Sequence, residues 1–113
     1  MRNWTRILLI SWLLVVPSVS AQPTPPLKLV QRISLPGVTG RIDHLSIDLK
    51  GQRLFVSALG NDTLEVINLL SGKDIHSIPG MREPQGVLYV PESNRLFVAN
   101  GGDGTCRISK PIT

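Results

Sequence analysis

Cysteine is nearly absent: Cys106 is the only one in 113 residues. A single cysteine excludes an internal disulfide, and neither a CxxCH haem motif nor a pair of metal-type cysteines exists. Cys106 is expected half-buried on a strand as a small residue; an intermolecular or reactive thiol is the alternative. Catalytic motifs are missing too. There is no GxSxG, no cysteine and histidine at a plausible spacing, and no acidic dyad repeated on one strand. The "GGDG" of residues 101–104 precedes a strand-like run, so it lacks the helix N-terminus that holds a phosphate. Helical periodicity is lacking throughout the chain beyond residue 21. Basic residues are scattered singly among acids rather than clustered, which argues against a nucleic-acid partner.

Long apolar runs are also scarce, and the one present lies at the N-terminus. Arg2 and Arg6 precede Ile7 to Val16 (ILLISWLLVV), Pro17 breaks the run, and Val19 and Ala21 are the small residues of a cleavage site. This order is that of a secretory signal peptide over residues 1–21. About 20 apolar residues are needed to span a bilayer, so no stable membrane span is expected after cleavage, and the protein is placed in the periplasm or secreted. An uncleaved anchor is the alternative. Removal of 1–21 takes two of the twelve Lys and Arg, leaving ten against eight Asp and Glu, so the net charge is small.

What remains is rich in Val, Ile, Leu, Gly and Pro. Residues 22–26 (QPTPP) read as a stiff linker. Short apolar runs follow, bounded by turn residues: 27–35, 43–49, 53–59, 63–69, 74–78, 86–90, 95–100 and 105–109. "RLFVSALGNDT" (53–63) returns as "RLFVANGGDGT" (95–105), 42 residues later. Four short strands per repeat of about 40–45 residues is the signature of a β-propeller blade. The fold expected is therefore all-β, a partial propeller of about two four-stranded antiparallel blades. Residues 38–80 would form the first blade and 81–113 an incomplete second one. Residues 27–37 would be an N-terminal strand that completes the last blade of the ring. A plain meander or sandwich built by one duplication is the alternative. The turns at Gly60-Asn61-Asp62 and Gly101–Gly104 are expected to supply the positive φ of tight hairpins. Phe55, Tyr89 and Phe97 are assigned to the core and His76 to solvent.

The run Glu83-Pro84-Gln85-Gly86, an apolar strand, a Pro-led turn, and then Leu96 to Asn100 before a Gly-rich turn and Thr105 resembles the YVTN-type β-propeller repeat. Leu54 to Ser57 match the same pattern one repeat earlier. The resemblance extends over about residues 27–109 and implies a propeller fold, not a particular activity. Rings hold typically 4–8 blades. On this reading the chain is a fragment of a larger exported propeller, and its partners are the missing blades or further copies of itself.

One departure from the repeat marks a candidate site. Arg41-Ile42-Asp43-His44 stands where the pattern has Pro-x-Gly. Asp43 and His44 fall at the phase of Gln85 and Gly86, at the opening of an inner strand, near the mouth of a propeller's channel. A ligand site is expected at Arg41, Asp43, His44 and Gln85, with Arg41 as an anion contact. His44 is the one plausible metal ligand, since imidazole suits zinc, copper and iron; whether a metal or other cofactor is needed is left open. Alternatively, Asp43 caps a turn and His44 bonds backbone. Three functional expectations follow. The chain belongs to a binding or scaffold module for a small ligand or protein; or to a propeller enzyme such as a metal-assisted lactonase-like hydrolase; or it is a truncated product without independent function.

Overall fold

The computed structural model describes residues 26–112; the segment 1–21 expected as a signal peptide, and most of the proline-rich linker, lie outside them. The described chain is all-β. Strands β1 (Leu45–Asp48), β2 (Arg53–Ala58), β3 (Thr63–Asn68) and β4 (Lys73–Ile78) form one antiparallel sheet in the order β1-β2-β3-β4. Strands β5 (Pro84–Val90), β6 (Arg95–Asn100) and β7 (Thr105–Ser109) form a second, in the order β5-β6-β7. Both are meanders joined by tight turns, as the alternation of apolar runs with Gly, Asn, Asp and Pro requires.

The turns carry the repeat as clearly as the strands do. Gln52 and Asn94 both adopt left-handed backbone, with φ of 51° and 50°, and both lie in the turn between the first two strands of their sheet. Asp62 (φ 56°) and Gly104 (φ 69°) do the same at the turn between second and third strands. Each pair is 42 residues apart. In the first of these later turns the residue of the Gly60-Asn61-Asp62 stretch that holds the positive φ is Asp62, after a 3-10 turn over Leu59–Asn61.

The second sheet lies on one face of the first. That face carries Phe55, Leu64 and Val66, all fully buried, and meets Leu96, Val98 and Met81, with Ile78, Val87 and Tyr89 packed around them. Phe55 and Tyr89 rings touch at 5.5 Å between centroids. Two hydrogen bonds stitch β1 to β5: Tyr89 N donates to Ser46 Oγ (2.9 Å) and His44 N to Gln85 O (3.3 Å). The opposite face of β2 and β3 is buried as well, at Val56, Ala58, Glu65 and Ile67. Burial on both sides removes the in–out alternation that a half-solvated sheet would show.

Three expectations differ from the structure. Phe97 lies half-buried on the outer face of the second sheet, outside the core that Phe55 and Tyr89 share. Residues 27–35 form no strand, because a ladder needs a partner and none pairs with them among the described residues. They run instead beside the first sheet, where Gln31 packs on Gly72 and Ile33 and Leu35 are half-buried. Cys106 is exposed rather than half-buried, since its face of β7 is uncovered.

One ion pair closes the β1–β2 hairpin, and its arginine reaches the second sheet at Tyr89. The Arg53 guanidinium donates twice to Asp48 Oδ2, through Nη2 at 2.7 Å and Nε at 3.1 Å, and once to Ile112 O at 2.9 Å. It also lies over the Phe55 and Tyr89 rings, 5.6 and 5.9 Å from their centroids. Burial alone would raise the Asp48 pKa. The Gly51 N–H and Arg53 outweigh it and hold the carboxyl below its usual range. Arg53→Ala leaves that carboxylate buried and unpaired, so it should cost about 3 kcal/mol in urea unfolding. Because its folded pKa is depressed, Asp48 stabilises the fold above its unfolded value and loses that contribution as pH falls. Asp48→Asn should therefore flatten the acid limb of a Tm-against-pH curve below about pH 4.

Candidate functional site

The segment that leads into β1 is held mainly by backbone, with Asn61 Oδ1 accepting from Thr39 N and Oγ1 as well (3.3 Å each). Gly60 N donates to Arg41 O (2.9 Å), Asp43 N to Ser57 O (2.9 Å) and Ser57 N to His44 O (3.0 Å). Gly60 is required there by proximity: a Cβ on it would stand 2.7 Å from Arg41 N and 2.9 Å from Gly40 Cα. The second repeat uses the same brace. Gly102 N donates to Arg82 O (3.1 Å) and Gly101 N to Glu83 O (3.0 Å), so the approach to β5 is pinned on its own β6–β7 turn.

These braces bring three of the four expected site residues into side-chain contact. Asp43 is at the centre and half-buried. One oxygen lies 2.8 Å from His44 Nδ1 and the other 3.6 Å from Arg41 Nη2. The side chains of Arg41 and His44 are about two-thirds exposed, at 69% and 68%. Gln85 joins through its backbone, accepting from His44 N, while its side chain packs on Gly101. The four residues thus gather where β1 and β5, first strands of separate sheets, begin side by side.

The chemistry of the cluster follows from Asp43. A carboxylate accepts from Nδ1–H, so a neutral His44 keeps its lone pair on Nε2, pointed away from its partner. An exposed Nε2 can accept a hydrogen bond, bind a metal or take a proton. Arg41 adds a planar donor fork suited to a carboxylate or phosphate. Catalytic zinc usually takes three protein ligands. Among the described residues, no group of three or more His, Cys, Asp and Glu side chains converges. A metal at His44 would draw its remaining ligands from elsewhere.

Sequence reasoning missed a second polar cluster. Glu65 is fully buried in β3, and its Oε1 accepts from the hydroxyls of Thr63 and Ser77, the latter at 2.9 Å. Its Oε2 and the Oδ1 of Asp74 on β4 are both buried without a hydrogen-bond partner. Burial, and then the Glu65 carboxylate beside it, raise the Asp74 pKa. The signal lay in the phase of "TLEVINL": Glu65 shares a face with Thr63 and Ile67, opposite Leu64 and Val66. The turn aspartates also differ from one another. Asp103 caps its own turn, accepting from Thr105 N and Oγ1, whereas Asp62 reaches across to accept from Glu83 N at 2.7 Å. His76 is exposed, as expected.

Gly60→Ala should displace residues 40–43 and disperse the Arg41–Asp43–His44 contact, at about 1–3 kcal/mol. Amide shifts of Arg41 and His44 in NMR spectra would check it, while β6 and β7 stay unmoved. Asp74 is the opposite case to Asp48. Its folded pKa is raised, so its contribution is full below the unfolded value and is lost as pH rises through the folded one. Asp74→Asn should accordingly raise Tm relative to the wild type at neutral pH, with the gap closing toward pH 4. No protein-family model matches the chain, and no match is found among curated proteins. No helix among the described residues is long and apolar enough to cross a membrane.

Proposed function

We propose that the chain is part of an exported β-propeller of the YVTN-repeat type, a binding or scaffold module whose ligand is taken where β1 and β5 begin. The observation that carries this reading is the stacking of two sheets of one repeat in the same phase. Their first strands lie side by side, joined at His44 N to Gln85 O and Tyr89 N to Ser46 Oγ. That order supports a propeller over a two-sheet sandwich, because a blade offers each face to a neighbour and sets its first strand innermost.

The ligand this end would take is a small polar molecule or a protein loop bearing an acceptor or an anionic group. Arg41 would meet the charge, His44 Nε2 would bond the adjoining polar atom, and Asp43 would hold both side chains in place. One observation favours a second reading, a metal-assisted hydrolase. An imidazole oriented by a carboxylate through Nδ1 and free at Nε2 is how many metal-binding histidines are presented. In that enzyme His44 and Asp43 would supply part of a site completed by other blades.

A single titration separates the two. With acetate as a carboxylate probe, the amide and side-chain NMR signals of Arg41 and His44 should shift together, and Arg41→Ala should abolish the response. With Zn2+ as the probe, the binding reading expects no saturable change at His44. Saturable zinc broadening of His44, lost in His44→Ala, would favour the hydrolase; silence of both residues toward acetate and zinc would remove the site.

A further inference from the structure

We infer that the chain assembles head to tail with a second copy of itself, the free face of its second sheet covering the β1 side of the next copy's first sheet. This rests on the propeller reading above and names the partner that completes it.

The argument is the internal repeat applied to an interface already formed. Within one chain, Ser46, Phe55, Leu64 and Val66 receive Val87, Tyr89, Leu96 and Val98. Forty-two residues after the receiving set stand Leu88, Phe97, Cys106 and Ile108, which share the outer face of the second sheet. That face is apolar and open: Leu88 and Ile108 are 57% and 53% exposed, and a shallow cleft of about 250 Å³ lies between Leu88, Phe97, Ala99 and Cys106. Forty-two residues before the docking set stand Leu45, Ile47, Leu54 and Val56, on the face of the first sheet turned away from the second. Leu45 and Ile47 there are 52% and 47% exposed, while Leu54 is half-buried and Val56 already buried at the floor of the patch. The two open patches are therefore the repeat equivalents of the two faces that already fit each other. By that equivalence Ile47 of the next copy falls on Phe97, as Tyr89 falls on Phe55.

Residues 27–35 agree with the same geometry. They lie beside β3 and β4, where Arg32, Ser34 and Pro36 line a cleft with Asp74, and leave the β1 side open. A second sheet docked over β1 and β2 would bring its edge strand β7 toward this segment, which has no ladder partner among the described residues. The segment would then serve as the fourth strand of the incoming sheet. Such an interface joins two different patches, so it propagates, and with the rotation between neighbouring blades of a propeller it closes into a ring. With 4–8 blades per ring, roughly two to four copies suffice.

The test uses the purified chain and two variants at exposed positions, Leu88→Asp and Ile47→Asp, with circular dichroism to confirm their β structure. Light scattering on a sizing column should give the wild type roughly two to four times the single-chain mass, and each variant the mass of one chain. An equimolar mixture of the variants should give a species of two chains, because each blocks a different patch and one intact pairing remains. Cys106 should be shielded from maleimide in the wild type and labelled readily in Leu88→Asp. A folded wild type of single-chain mass, an oligomer that survives both substitutions, or a mixture that stays monomeric overturns the inference. So does a wild type with no β structure. The acetate titration reads Arg41 and His44 rather than these faces, so failure of assembly and failure of the binding reading are told apart.

Discussion

Neither sheet can bury its own apolar face, and everything else in the structure depends on that. A meander of short strands has two faces and no helix to cover either. Phe55, Leu64 and Val66 leave water only because Leu96, Val98 and Met81 stand opposite them. At about 25 cal/mol per Å² of apolar surface, this shared face is the main favourable contribution that a chain of this size can assemble. Its stability is accordingly a property of neighbouring repeats rather than of either sheet, as in other repeat arrays.

The polar devices are arranged around that face. Arg53 sits at its rim, and its guanidinium covers the Phe55–Tyr89 contact while it neutralises a buried carboxylate. On the far side of the same sheet the balance is reversed: Glu65 and Asp74 face each other with an unpartnered oxygen apiece. A carboxyl that is paired with a guanidinium gains from ionisation, and one that faces another carboxyl gains from a proton. The two faces of a single sheet thus respond to pH in opposite senses. The first is closed by a permanent neighbour. The second is bordered by residues 31–36, a segment without ladder bonds to hold it.

Much of this architecture was legible in the sequence because it is written in residues with local consequences. The strands over 53–59, 63–69, 74–78, 95–100 and 105–109 lie within a residue of those observed, since Gly, Asn and Asp punctuate them. The repeat period set the phase of the turns. What could not be read was which residue of a turn bears the strain: "GND" points to glycine, yet Asp62 takes the left-handed position and Gly60 is needed for a close approach by Arg41. Tertiary contact decides that, and it leaves no local mark. The segment 27–35 lacks a ladder for a related reason. Its composition suits a strand, but pairing is a relation between two segments. Cys106 was placed by residue type, whereas its exposure depends on whether a neighbour covers β7.

The candidate site shows the same division between what a repeat fixes and what it leaves free. Both approaches to a first strand are clamped by backbone bonds from the next turn of their sheet, from Gly60 to Arg41 in one repeat and from Gly101 and Gly102 to Glu83 and Arg82 in the other. The clamp uses the backbone of the approach segment and the glycine and side chains of the turn, so the side chains of residues 41–44 can change without loss of these bonds. In the second repeat the positions hold Glu83, Pro84, Gln85 and Gly86, and the strand bulges between Pro84 and Val87. In the first they hold Arg41, Ile42, Asp43 and His44, and a charge-linked trio results. Two of its side chains stay about two-thirds exposed, an arrangement that adds little to stability because exposed ion pairs contribute at most about 1 kcal/mol. A structural purpose would have been served by the bland residues of the other repeat. The position where the repeat departs from itself, on a frame that tolerates departure, is therefore where recognition is best sought.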